Sequence, residues 1–352
     1  MTTPSPGSVP PPRKSTNVRV LRTSPAVRLV FRALERAAPG VAGFWADRLL
    51  FSPPRKRPSP AVRSALEAAR PFAVAFGRGR LPAWRWGEGP TVLLVHGWGS
   101  RGGHIASLAP ALVRAGLSAV AFDAPAHGTA PGRRTSIVEM AAALRAVAAA
   151  CEPVHGIVAH SVGAPVVTLA LRAGLVVSRA VFLAPTAGPD GFTRLFAARL
   201  GLGPAGLRAM KVLAERRIGV RWEALRVPDL ARELRVPLLV VHDRDDGEIA
   251  WSEGAAIAVA WPGAELVTTS GLGHVKLLLD PQVAWRTAAF LAEAGQPPAS
   301  CGHVREWFWA DAAGACATCA LERDLFDRPA RWERAGAEYA RRSHTIAARR
   351  HA

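Results

Sequence analysis

Short apolar segments alternate with helical segments along the chain from about residue 72 to residue 293. Each apolar segment is five or six residues long, and several carry two or more β-branched side chains, as is typical of strands. Repeated strand–helix units bury both faces of a sheet when the strands run parallel and helices cover each side. We therefore predict an α/β fold with a mostly parallel central β-sheet flanked by helices. The predicted strands are 72–76, 81–86, 91–96, 117–122, 154–159, 179–183, 237–242 and 265–269.

A helical stretch over about 186–235 interrupts the alternation and lacks a clear strand. It is rich in Arg and Leu, and we predict that it forms an inserted helical lid over the sheet. Its large apolar side chains indicate an apolar pocket. They are Phe192, Leu195, Phe196, Leu200, Leu202 and Leu207.

The composition changes along the chain and divides it into four parts. The N-terminus is rich in Pro, Ser, Thr and Arg, which is typical of disorder. The helical pattern that follows is broken at Pro39 and ends before a proline-rich linker at 53–58. We predict a disordered basic arm at 1–24, an N-terminal helical segment and linker at 25–71, a core domain at 72–296 and a C-terminal appendage at 297–352.

The formal net charge of +18 is concentrated near the N-terminus. Residues 1–63 hold twelve Lys and Arg residues against Glu35 and Asp47. A basic segment of this kind can attract nucleic acid or anionic lipid. No nucleic-acid-binding motif accompanies it, so we interpret the arginines as solubilising residues and expect no nucleic-acid partner.

The first helical segment has an amphipathic pattern. Such a helix can lie on a membrane surface. We expect it to pack on the core domain instead, which leaves peripheral membrane contact as the alternative. One face carries Arg28, Arg32 and Arg36, and the other carries Val27, Val30, Phe31 and Leu34.

The hydropathy pattern shows no membrane or export signal. No run of eighteen apolar residues is free of charged residues or prolines, so we expect no transmembrane helix. The first ten residues lack the apolar core of a signal peptide. Four cysteines in 352 residues do not make a disulfide framework. These features predict a cytoplasmic protein with reduced thiols.

One serine stands at a junction between a predicted strand and a predicted helix. Ser161 has small residues two positions away on either side, Ala159 and Gly163. A strand, a sharp turn and a helix starting at Val162 make a nucleophile elbow, in which the turn presents the serine oxygen. Small neighbours are needed because strand and helix approach each other closely. The helix start also brings unpaired N–H groups to the serine.

Partners for such a serine follow other predicted strands. A serine nucleophile needs a base, an acid that orients the base, and donors for the oxyanion. The acid candidates are Asp243, Asp245 and Asp246, and the base candidate is His274 on a glycine-flanked loop. The glycine-flanked turn after the strand at 91–96 predicts the backbone amides of Trp98 and Val162 as oxyanion donors.

These segments together resemble the α/β-hydrolase superfamily over roughly residues 72–293. The resemblance implies a Ser161–Asp246–His274 triad, because the family's acid stands three residues before a hydrophobic-Pro pair. Ile249-Ala250 takes that place in this chain, with alanine where the family has proline. Ala126 also replaces a family glycine. The matching motifs are His96–Trp98, Asp123–Gly128, Ala159–Gly163, His242–Ala250 and Gly271–His274.

The resemblance implies a serine hydrolase that needs no catalytic cofactor. We predict cleavage of a carboxylic ester with a small or medium apolar acyl group, through an acyl-enzyme. Thioesterase, acyltransferase and C–C bond hydrolase remain alternatives on the same scaffold. A non-catalytic binding or sensor protein with this fold is the alternative of another class.

The tail carries a separate pattern of metal-ligating residues. Cys301 and His303 are followed, after twelve residues, by Cys316 and Cys319. Two pairs of soft ligands suit a tetrahedral structural zinc, although one residue between Cys301 and His303 is tighter spacing than usual. The alternative is a pair of thiols and a surface histidine. The sequence identifies no protein partner for this appendage.

Overall fold

A central sheet of eight strands organises the computed structural model, which describes residues 23–292. The strand order is β1-β2-β4-β3-β5-β6-β7-β8. All pairs from β4 to β8 are parallel, whereas β1 and β2 form an antiparallel hairpin at one edge. The predicted mostly parallel sheet is confirmed. The strands are β1 Arg70–Phe76, β2 Gly79–Trp86, β3 Thr91–Val95, β4 Ser118–Phe122, β5 Val154–His160, β6 Arg179–Leu183, β7 Leu238–Asp243 and β8 Glu265–Thr269.

Helices cover both faces of this sheet. None of the helices within 23–292 has the length and apolarity needed to cross a bilayer. They are α1 Pro25–Ala37, α2 Pro39–Leu50, α3 Pro60–Glu67, α4 Gly102–Ile105, α5 Ala109–Arg114, α6 Ile137–Ala149, α7 Gly163–Arg172, α8 Pro189–Leu200, α9 Pro204–Ile218, α10 Val227–Ala231, α11 Trp251–Ala260, α12 Gly273–Lys276 and α13 Pro281–Ala292.

Alternate residues of the inner strands enter two different cores. On β3, Leu93 and Val95 join the core beneath α6, α7 and α11, while Val92 and Leu94 join the core beneath α5 and α13. Because successive side chains of a strand point to opposite faces, a strand buried on both sides reads as a continuous apolar run. This explains why the strands were recognisable in the sequence.

A third core lies in a cap that two separate parts of the chain build together. Helices α1 and α2 pack against α8 and α9, and their buried side chains form one cluster. The carboxylate of Glu35 accepts hydrogen bonds of 3.1 Å from the amides of Ala205 and Gly206 at the start of α9. The buried carboxylate of Asp47 on α2 forms an ion pair with Arg217 of α9. The N-terminal helices are therefore half of the cap that covers the sheet.

The proline-rich segment after α2 is held against the core. The Arg55 guanidinium donates to the carbonyls of Ala126, Ala130 and Gly132, at 3.0, 2.6 and 2.7 Å. Arg101 donates to the carbonyl of Lys56. These bonds fix the segment that was predicted as a linker. It leads into α3, a short helix that the sequence analysis did not single out.

The contact between α2 and α9 depends on a glycine. A β-carbon on Gly43 would lie 2.6 Å from Ala209 Cβ and 2.8 Å from both Gly206 O and Met210 N. We predict that Gly43→Ala lowers the free energy of unfolding by about 1–3 kcal/mol, because backbone atoms cannot move aside. Urea denaturation of the purified protein measures this change.

Gly40 in the same helix provides the matched control. No atom lies within 4 Å of a β-carbon built there. Gly40→Ala should leave stability unchanged or raise it by up to about 1 kcal/mol, because alanine favours the helix. Equal effects of the two substitutions would show that α2 does not pack on α9 at Gly43.

Candidate active site

The predicted elbow is present at the end of β5. Ser161 has a φ of +55°, a left-handed conformation that is rare and costly for a residue other than glycine. The Ser161 amide is held by the carbonyl of Leu183 at 3.0 Å. The following helix begins at Gly163 and not at Val162, because Val162 is the capping residue whose carbonyl accepts from Val166.

Close packing around the elbow explains its small residues. A β-carbon on Gly163 would lie 2.8 Å from the carbonyl oxygen of Val95 on the neighbouring strand. Ala159 is fully buried, and its methyl group would be 3.3 Å from that same β-carbon. The site therefore accommodates alanine at 159, but position 163 has room for glycine alone.

The structure brings Asp246 and His274 together. His274 Nδ1 lies 2.7 Å from Asp246 Oδ2, and the Asp246 side chain is fully buried. The other oxygen, Oδ1, accepts from the amides of Glu248 and Ile249 at 2.8 and 2.9 Å. Since a carboxylate only accepts, His274 Nδ1 carries the proton in this pair, and Nε2 of the neutral ring remains a proton acceptor.

The Asp246 carboxyl is held in its ionised form. Burial by itself would raise its pKa, but hydrogen bonds from His242 and His274, the His274 ring and the Ile249 amide together hold the pKa well below its ordinary value. A carboxylate that stays charged can fix the orientation and tautomer of a histidine.

The two neighbouring aspartates hold the loop that carries His274. Asp243 is fully buried, and its Oδ2 accepts from Thr269 Oγ1 at 2.7 Å and the Leu272 amide at 3.1 Å. Asp245 Oδ2 accepts from the Gly271 amide at 2.8 Å. The three candidate acids of the sequence thus have different contacts, and of the three Asp246 alone contacts His274.

Two further histidines belong to the site and were not predicted. His242 Nε2 lies 3.4 Å from Asp246 Oδ2 and 3.2 Å from the Ile249 carbonyl, so its N–H faces both acceptors. A histidine at the end of an apolar strand, four residues before an acid, was a signal that the sequence analysis did not use.

The other is His160, directly before the nucleophile candidate. Its Nε2 donates to the backbone carbonyl of His274 at 3.0 Å, and the two rings are 4.7 Å apart. Burial, followed by the nearby His274 ring, lowers the pKa of His160 to about 3. A neutral His160 therefore ties the histidine loop to the elbow without placing a positive charge beside His274.

The loop after β3 is braced against the neighbouring turn. His96 Nδ1 bonds to the Gly97 carbonyl at 2.8 Å, and Nε2 accepts from the Ala124 amide at 3.0 Å. Among the described residues, no backbone carbonyl is paired with the amides of Trp98 or Val162. These two amides, which were predicted as oxyanion donors, lie on the two turns that flank Ser161.

An apolar cavity of about 50 Å³ lies under the cap, between the elbow and the cap helices. Trp98 and Val162, which carry the predicted oxyanion amides, are among its lining residues, whereas Ser161 and His274 are not. Leu50 and Phe51, at the end of α2, contribute to its wall together with the predicted lid. The further lining residues are Ser136, Ile137, Pro165, Thr186, Gly188, Pro189, Phe192, Thr193, Ile218, Trp222 and Leu225.

The candidate zinc ligands Cys301, His303, Cys316 and Cys319 lie outside the described residues, as does most of the basic arm predicted at 1–24. Within 23–292, no group of three or more potential metal ligands comes together. Cys151 is a free, buried thiol. The structural zinc therefore stays a prediction.

Residues 92–283 match the family model described as the alpha/beta hydrolase family. The chain belongs to the alpha/beta hydrolase family. The match begins within β3 and ends within α13, so it includes the loop after β3, the elbow, the acid loop and the histidine loop. It leaves out α1, α2 and the cavity residues Leu50 and Phe51. None of the curated proteins searched matches this hydrolase.

Two solved structures illustrate the same fold at low sequence identity. The esterase Pf2001 of Pyrococcus furiosus is 19% identical with a TM-score of 0.53, covering 68% of this chain and 98% of its own. Est1E of Butyrivibrio proteoclasticus, solved with ferulic acid bound, is 17% identical with a TM-score of 0.51, covering 63% and 100%. These comparisons support the alpha/beta hydrolase fold.

The buried carboxylate of Asp243 yields a test of how the histidine loop is held. Asp243→Asn replaces one acceptor oxygen by an NH₂ group that must face an existing donor. We predict that the free energy of unfolding falls by about 1–3 kcal/mol, as measured by denaturant titration.

Asp245→Asn is the control, because Asp245 is partly exposed and water can replace its bond to Gly271. Its effect should stay within about 0.5 kcal/mol. An Asp243→Asn protein as stable as the Asp245→Asn protein would mean that the bonds of Asp243 do not hold the loop.

Proposed function

We propose that this hydrolase cleaves a carboxylic ester of a small apolar acyl group, with Ser161 as nucleophile, His274 as base and Asp246 as the orienting acid. The observation that carries the proposal is the 2.7 Å contact between His274 and buried Asp246, on loops that follow the same sheet edge as the elbow. The His160–His274 hydrogen bond supports it, because it holds the histidine loop against that elbow.

Acylation follows from these positions. Nε2 of His274 takes the proton of Ser161 as the serine oxygen attacks the ester carbonyl carbon. The negative charge that develops on the carbonyl oxygen is stabilised by the amides of Trp98 and Val162. Collapse of this intermediate breaks the ester bond, and the leaving alkoxide receives the proton from His274.

Deacylation reverses the same proton movements. A water molecule gives a proton to His274 and attacks the acyl-serine carbonyl, and the second collapse returns the proton to Ser161. Asp246 stays ionised throughout and stabilises the imidazolium that forms in each step. Its low pKa suits this role, because the carboxylate keeps its charge at neutral pH.

The cavity indicates the size and polarity of the acyl group. It is apolar and holds about 50 Å³, far below the roughly 300–1,000 Å³ of sites for drug-sized ligands. We therefore propose short acyl chains. Ester hydrolysis is also the activity that the name of the Pyrococcus furiosus protein states for a chain of the same fold.

Covalent labelling tests the nucleophile. Ser161→Ala should abolish labelling by a fluorophosphonate probe and reduce kcat by about three orders of magnitude or more, because no other group can form the acyl-enzyme. Labelling is read by gel fluorescence, and turnover is followed with p-nitrophenyl acetate. Circular dichroism checks that the variant remains folded.

Ser136→Ala is the matched control, since Ser136 is a second serine near the elbow that lines the cavity but caps α6. It should keep full labelling. Labelling that persists in Ser161→Ala would exclude this serine as nucleophile. A wild-type protein that is labelled but turns over no ester would indicate a thioester or another acyl substrate. A protein that does neither would indicate a binding role.

Acyl-chain preference tests the cavity assignment. Phe192→Ala removes a large side chain from the cavity wall, so the preferred p-nitrophenyl ester should become longer by about two to four carbons. Phe44→Ala, on the exposed side of α2, should leave the preference unchanged. An identical chain-length profile for wild type and Phe192→Ala would show that the acyl group binds elsewhere.

A further inference from the structure

The cap helices α1 and α2 expose an unusual amount of apolar side chain. Of the thirteen large hydrophobic residues exposed within 23–292, seven fall between Val27 and Leu49. The two exposed aromatic residues among them, Phe44 and Trp45, are adjacent on α2, with 43% and 51% of their surface accessible. Monomeric proteins usually expose such side chains singly, so a cluster marks an interaction surface.

The apolar residues on α2 fall on two sides of the helix. Ala42, Gly43, Ala46 and Leu50 are buried, and they face the cap. Val41, Phe44, Trp45 and Leu49 occupy the opposite, solvent side at helical spacing. Apart from Leu50, the inward residues are small and the outward ones are large, which is the reverse of a helix that packs on one side alone. We call the solvent side of α1 and α2 the outer cap face.

The charges of these two helices are divided in the same way. Their acidic residues, Glu35 and Asp47, are both used inside the cap by α9. Their four arginines are exposed, and the Arg48 guanidinium lies 5.6 Å and 5.9 Å from the ring centroids of Phe44 and Trp45. The outer cap face therefore combines positive charge with aromatic and aliphatic groups and carries no carboxylate. Its arginines are Arg28, Arg36 and Arg48, whereas the Arg32 side chain lies beside Gly201.

We propose that the outer cap face docks this protein on an anionic lipid surface. Aromatic and aliphatic side chains on one side of a helix enter the interfacial region of a bilayer, and arginines beside them pair with phosphate headgroups. A second copy of the chain fits less well, because a two-fold contact would bring together two copies of a face that is positively charged and carries no carboxylate. Anionic lipid headgroups can move in the plane of the membrane. They can therefore pair with arginines that are distributed over the face rather than grouped in one site.

The position of the outer cap face connects it to the site. Leu49 is exposed, whereas the next two residues, Leu50 and Phe51, line the cavity above the elbow. Docking would thus place the cavity wall about one helix diameter, ~10 Å, from the lipid surface. The inference concerns binding alone and does not depend on the proposed ester hydrolysis.

Vesicle sedimentation of the full chain tests the proposal. The probes are phosphatidylcholine vesicles with and without about 30% phosphatidylglycerol. Wild-type protein should bind the anionic vesicles, and Phe44→Ser/Trp45→Ser should bind them about tenfold more weakly or worse. Replacing Arg28, Arg36 and Arg48 by glutamine should weaken binding to the anionic vesicles by about fivefold per arginine at low salt.

Val176→Ser/Val259→Ser is the matched control, because these two valines are 82% and 89% exposed on other elements. It should bind like wild type, and thermal unfolding checks that every variant is folded. Anionic binding that survives both sets of substitutions would place it in another segment and overturn the proposal. Absence of vesicle binding, with a dimer that Phe44→Ser/Trp45→Ser converts to monomer, would overturn it in favour of self-association.

Discussion

Burial of the parallel sheet on both faces is the constraint on which the site depends. The strands from β3 to β7 are covered by helices on each side, so they carry almost only apolar side chains. Polar groups can occur without penalty only where a strand ends and the chain leaves the sheet. The nucleophile candidate, the acid loop and the histidine loop all lie at the carboxyl ends of strands for this reason, which is where open parallel sheets place their ligands.

The buried charge of Asp246 then organises the residues around it. A carboxylate removed from water needs several donors, and these come from two backbone amides, His274 and His242. Satisfying this charge fixes the acid loop and, through His274, the histidine loop. The contacts that stabilise the Asp246 carboxylate are therefore the same contacts that the proposed chemistry requires.

Much of the fold and the site was predictable because it depends on local patterns. Both-side burial makes strands continuous apolar runs, and tight turns leave glycine and small residues at fixed positions, as around Ser161. The resemblance of the acid loop to its family pattern selected Asp246 from three adjacent aspartates. The roles of Asp243 and Asp245 were not predictable, because their partners are backbone amides 26 to 29 residues away.

The cap was harder to predict for the same physical reason. Its contacts join residues about 170 positions apart, as between Glu35 and Gly206, and a pattern within one segment does not show which distant segment it packs on. The exposure of Phe44 and Trp45 also depends on which side of α2 the lid covers. His242 and His160 were missed because their roles come from contacts across loops.

The two-part cap has a consequence for where this protein can be cut. The family match begins at Val92. A fragment starting there would retain Ser161, the loop that carries Asp246 and the loop that carries His274. It would lose Leu50 and Phe51 from the cavity wall. It would also expose to solvent the faces of α8 and α9 that pack against α2. The smallest unit that encloses its own cavity therefore begins before the region that matches the family, at the helices of the N-terminal segment.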